Sequence, residues 1–139
     1  MVRLIVGEKG KGKTKYLLDQ VNNDVNKFSG SVVYLDKSNK HMHELSNKVR
    51  LINVKEYSLK NADEFIGFIL GLLAGNYDIE EIFFDSYLKI SHQEDCDLTE
   101  NLNELERISK QFNINFTLSV SCGKDQIPEK FHESIVVCL

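Results

Sequence analysis

Val2-Arg3-Leu4-Ile5-Val6-Gly7-Glu8-Lys9-Gly10-Lys11-Gly12-Lys13-Thr14-Lys15 is the stretch on which the reading of the chain turns. A short apolar run breaks into Gly-x-x-x-x-Gly-Lys-Thr, the Walker A pattern of a phosphate-binding loop. Glycines 7, 10 and 12 let the backbone turn tightly and aim successive N–H groups inward, at the positive end of a helix that starts near Lys13. Gly7, Glu8, Lys9, Gly10, Lys11, Gly12, Lys13, Thr14 and Lys15 are therefore the expected phosphate cradle. Lys13, facing solvent in the empty site, would reach the β- and γ-phosphates, and the Thr14 hydroxyl would ligate the Mg²⁺ that bridges them.

The remainder of the chain is bounded by its 139 residues, 42% hydrophobic content and single proline, which suit one compact domain over residues 1–139. The N-terminus has no signal-peptide core, and the longest apolar run, residues 65–74, is about half a membrane span. The expectation is a cytoplasmic protein without a membrane span. Cys96, Cys122 and Cys138 are odd in number and widely spaced, which points to reduced thiols and not to a disulfide framework or a metal finger. A net charge of −4 argues against general nucleic-acid binding, while Lys9, Lys11, Lys13 and Lys15 crowd the loop as a polyphosphate site requires.

Strand and helix patterns alternate from there. Leu17, Leu18, Val21, Val25 and Phe28 form one stripe of a helix over residues 13–28, closed by Ser29-Gly30. Residues 31–36 read as a buried strand that delivers Asp36 to the ligand edge of a parallel sheet. Residues 37–47 read as a polar loop with a short helix, in which His41 and His43 are surface features, followed by a strand over 50–57. Asn61 and Glu64 cap a helix whose 65–74 run is apolar on nearly every face, implying burial on both sides or a covering partner. Gly67, Gly71 and Gly75 line one side of it, suited to close packing on the sheet or on a second copy of the chain.

Glu80-Glu81-Ile82-Phe83-Phe84-Asp85-Ser86 has the Walker B pattern, three bulky apolar residues and then an acid, and marks Asp85 as the second Mg²⁺ partner. Asp97 and Glu100 cap an amphipathic helix striped by Leu98, Leu102, Leu105, Ile108 and Phe112. Strands over 114–121 and 134–139 follow.

With these residues in hand, the chain resembles the RecA-like branch of the P-loop ATPases. The resemblance implies a three-layer α/β/α sandwich around a mainly parallel sheet of about five strands, with the loop strand central. It implies ATP and Mg²⁺ as ligands. It also puts Asp36 where relatives carry a water-polarising glutamate, and Ser121 where they carry a polar γ-phosphate sensor. Asp is one methylene shorter than Glu, Ser121 replaces a commoner Gln or Asn, and Asp85 has no glutamate after it. The expected activity is a slow or partner-activated ATPase, in which Lys13, Asp36 and Ser121 carry the chemistry. Only Arg3, Arg50 and Arg107 are arginines, so a finger from a homo-oligomer or an activating protein partner is expected. The alternatives are a non-hydrolysing nucleotide switch or scaffold, and a small-molecule kinase, which would need an Arg-rich lid that the sequence lacks.

Overall fold

A computed structural model describes residues 1–139. Its order is β1 (Val2–Val6), α1 (Lys13–Asp24), β2 (Ser31–Asp36), β3 (Val49–Asn53), α2 (Ala62–Gly75), β4 (Ile79–Phe84), α3 (Tyr87–Ile90), α4 (Thr99–Phe112), β5 (Asn115–Val120) and β6 (Ile135–Cys138). Six strands make a single sheet in the order β3-β2-β4-β5-β1-β6, and every pairing is parallel. The loop strand β1 lies one place in from an edge and not at the centre, because β6 is the only strand beyond it.

Strand periodicity divides the side chains between two cores. Leu4, Val6, Val33, Leu35, Ile82 and Phe84 face a core of 26 buried residues shared with α2 and α4. Ile5, Val32, Tyr34 and Phe83 face a core of nine, covered by Leu17, Leu18 and Val21 of α1. Helices thus cover both faces, which makes the α/β/α sandwich that the resemblance implies. The larger core is knit by Phe84, whose ring meets Phe65, Tyr87 and Phe116 at centroid distances of 5.5 to 6.0 Å.

Several expected boundaries shift for local reasons. The first helix ends at Asp24 and tightens into a 3₁₀ turn over Val25–Lys27, a common way to use the last carbonyls of a helix. The strand expected over 50–57 stops at Asn53, whose side chain accepts the Lys55 amide at 3.1 Å and starts a 3₁₀ turn, Val54–Tyr57. Residues 37–47 hold turns and no helix. Asp97 accepts the Thr99 amide at 2.8 Å, one residue away from the capping position expected for it. On α2 the Asn61 cap forms as expected, accepting the Glu64 amide at 2.8 Å, but only Phe65, Ile69 and Leu73 are buried. The glycines lie two residues on from that line, about 200° round the helix. They are exposed, with nothing within 4 Å of an added Cβ. Helix-to-sheet packing through glycine is thereby corrected: the bulky face packs and the glycine face looks outward. No helix is long and apolar enough to cross a membrane.

Candidate functional site

β1 ends at Val6 and the chain turns at once through a loop whose Gly10 and Gly12 sit at φ 86° and 92°. Left-handed backbone is costly for any residue with a Cβ, so these two positions need glycine on conformational grounds. Gly7 donates its amide to the Cys122 carbonyl at 3.1 Å, which ties the start of the loop to the end of β5. Lys13 departs from expectation. Instead of facing solvent it is buried, and its Nζ donates to the loop's own Glu8 carbonyl at 3.0 Å. Burial, above all, holds its pKa below the usual lysine range, with Glu8 and Asp85 pulling the other way.

Asp85, just past β4, is 2% exposed and receives three hydroxyls. Thr14 and Ser119 both donate to its Oδ1 at 3.1 Å, and Tyr34 donates to Oδ2 at 2.9 Å. The Thr14 bond joins α1 to the residue that follows β4, across the gap that β5 occupies. Ser119, on β5, also accepts the Ser86 amide at 3.0 Å, and Ser86 itself sits at φ 54°. The acid is therefore positioned from four elements at once.

Asp36, on the same face two residues after Tyr34, is also 2% exposed. Its Oδ1 accepts the Lys37 amide at 2.7 Å, while the buried Oδ2 has no partner. Its pKa is raised, by burial first and by Asp85 second, with the Lys37 amide and His41 opposing. Asp36, His41 and Asp85 each bring a potential ligand atom within 4.8 Å of the others. An all-oxygen set, the Thr14 hydroxyl with Asp85 and Asp36, suits a hard divalent cation. Thr14 can supply a lone pair while its hydrogen stays on Asp85. The orphaned Asp36 oxygen is the observation that most favours a cation or a water there.

These residues border a cleft of about 590 Å³ that Lys9, Gly10, Gly12, Lys13, Thr14 and Asp85 share with Ser119 and the exposed Ser121. Of the expected set, Glu8 lines it as well, while Gly7, Lys11 and Lys15 do not, and Asp36 lies behind its wall. No arginine lines it: Arg3 pairs with Glu81 at 3.5 Å, Arg50 with Asn76, and Arg107 with Glu104 on α4. An adjoining groove of about 850 Å³ shares Ser121 and Asp95 with the cleft, but Asp97, Asp125 and Glu129 make it hostile to phosphate.

Tyr34, Ser119 and His41 were missed from sequence. The first two carried a signal: each stands two residues before a residue expected at the ligand edge, Tyr34 before Asp36 and Ser119 before Ser121, and so lies on the same strand face. His41 carried none, because an irregular loop brings it in.

No protein-family profile matches the sequence, and no curated protein does. Among solved structures, the crystal structure of the flagellar accessory protein FlaH from Methanocaldococcus jannaschii superimposes with a TM-score of 0.59 at 16% identity. The match covers 93% of this chain and 63% of the FlaH chain. At that identity the likeness is one of fold. The chain has a RecA-like α/β/α fold.

Proposed function

We propose that the chain binds Mg·ATP in the 590 Å³ cleft and hydrolyses it slowly, or faster with a partner. The observation that carries this reading is the Thr14–Asp85 hydrogen bond at 3.1 Å. It couples a complete Walker A loop to the Walker B acid in a cleft that Lys9, Lys13, Lys37 and Lys89 line together. On binding, the Lys13 ammonium would leave the Glu8 carbonyl for the β- and γ-phosphates, a stronger charge-assisted contact. The amides of residues 8–13 would cradle the phosphates. Thr14 would hold Mg²⁺ directly and Asp85 would hold it through water, the cation supplying charge neutralisation to the phosphates.

Hydrolysis needs a water in line with the γ-phosphorus. Asp36 would orient it through the oxygen that has no partner, and would take its proton as the new P–O bond forms and the bond to the ADP oxygen breaks. Its raised pKa makes it a stronger base than an exposed carboxylate. Ser121, at the cleft wall, would contact the γ-phosphate. Absence of an arginine from the cleft leaves the developing charge short of one cation, which a second subunit or another protein would supply.

Asp36 behind the wall of the cleft favours a second reading, a nucleotide-binding switch that does not turn over. Calorimetry with Mg·ATP and a single-turnover assay decide between them. Binding with hydrolysis supports the ATPase, binding without hydrolysis at any protein concentration supports the switch, and no binding removes both.

A further inference from the structure

A smaller cavity, about 300 Å³, opens beside the phosphate cleft at the same edge of the sheet. Three connections converge on it. Lys37 follows β2, Lys55 lies in the 3₁₀ turn after β3, and Lys89 and His92 come from α3 and the turn behind it. Its floor includes Val54 and Ile90, each 4% exposed, so the basic groups stand over apolar surface and not over bulk water alone. No carboxylate lines it.

Lys15, Lys27, Lys110 and Lys130 each pair with an acid, and what sets this cavity apart is three unpaired lysines sharing one lining without a carboxylate. Lys37, Lys55 and Lys89 make no ion pair and no side-chain hydrogen bond, nor does the His92 ring, although acids outnumber bases by 21 to 17. Mutual repulsion of unpaired ammonium groups costs free energy that solvated surface lysines avoid by spreading out. Ser58 and His92, on the rim, hold left-handed backbone at φ 53° and 59°. Neither is glycine, and such conformations collect where the surroundings enforce them.

We propose that this cavity binds a small phosphate-bearing molecule distinct from the nucleotide, its phosphate held by Lys37, Lys55, Lys89 and His92. Three ammonium groups from separate connections suit a multiply charged anion better than a single carboxylate. The volume lies at the small end of ligand pockets, room for a phosphate and a few further atoms. Lys37 and Lys89 also line the nucleotide cleft, and the Lys37 amide is bonded to Asp36. Occupancy of the cavity therefore pulls on the side chains that face the transferring end of the nucleotide.

The test is an amide NMR titration of inorganic phosphate into Mg·ADP-saturated protein at fixed ionic strength. Saturable shifts are expected at Lys37, Lys55, Ser58, Lys89 and His92, with acetate weaker by at least an order of magnitude. Lys55→Gln with His92→Gln, neither in the nucleotide cleft, should weaken phosphate roughly tenfold or more, the scale of about 1.4 kcal/mol. Shifts linear in phosphate, equal shifts with acetate, or affinity untouched by the double variant would overturn the proposal. The same spectra read the nucleotide site separately: if Mg·ADP leaves residues 9–14 unmoved while phosphate still saturates the cavity, the ATP reading fails and this one stands.

Discussion

Three hydroxyls on one carboxylate set the electrostatics of the site. Thr14, Ser119 and Tyr34 all donate to Asp85, which is 2% exposed, and each donated bond offsets part of the lost hydration. Asp36 has one amide and no more, so its charge is the costly one. Its folded pKa lies above the unfolded value. The folded state therefore binds more protons between the two pKa values, and stability falls as pH rises through that window. Asp36→Asn should stabilise the nucleotide-free protein at neutral pH by on the order of 1 kcal/mol, because a neutral amide replaces a buried carboxylate that has a single hydrogen-bond donor. The gain should shrink below the unfolded aspartate value, where Asp36 is protonated, and Tm against pH for both proteins measures it. In single-turnover assays the same variant should keep ATP affinity yet lose roughly 10²-fold in rate if Asp36 serves the water. Normal turnover would take Asp36 out of the chemistry. Lys13→Ala should abolish most Mg·ATP binding by calorimetry. Since Lys13 also closes onto the Glu8 carbonyl, its melting temperature should be read alongside. At this scale Lys13, Thr14 and Asp85 were legible because a motif fixes identity and spacing together. Tyr34 and Ser119 were not, since they work through strand phase, which an apolar run hides.

Secondary structure was legible in type and blurred at its ends. Every strand and long helix was anticipated, yet Asn53 cut one strand short by capping a turn, and α1 gave up its last turn to 3₁₀ geometry. Amphipathic α4 was readable from its stripe, whereas α2, apolar nearly all round, could not reveal which face packs. Phe65, Ile69 and Leu73 face inward, and the glycines outward. Gly71 has helical backbone and open space around it. Gly71→Ala should stabilise the monomer by about 0.5–1 kcal/mol, through reduced freedom of the unfolded chain. Gly30 is the opposite case: an added Cβ would run into the backbone carbonyl of Asp78. Gly30→Ala should destabilise, and urea denaturation of the two variants should move in opposite directions. A Gly71→Ala protein that loses stability as it is concentrated, relative to wild type, would reveal a contact between copies through the glycine face.

Across the whole molecule, strand order was the least legible feature, because order is decided by where crossovers land and not by local pattern. Insertion of β5 between β1 and β4 is what lets Ser119 bridge the two halves of the site. No arginine lines the cleft. Turnover per molecule should accordingly rise with protein concentration if a second subunit supplies the cation, and stay flat if none does.

The unequal cores carry one more implication. α1 is held by nine buried residues, while the opposite face has 26, so the helix that begins with the phosphate loop has the thinner anchorage. Native-state amide exchange should find α1 opening at lower free energy than α4, as a separate cooperative unit. A ligand at the N-terminus of α1 would suppress that opening, by about 2.7 kcal/mol at a hundredfold excess over Kd if the open form does not bind. Part of the apparent affinity for nucleotide is then the free energy of closing α1, and calorimetry at several temperatures should return a heat-capacity change more negative than a polar cleft alone would give.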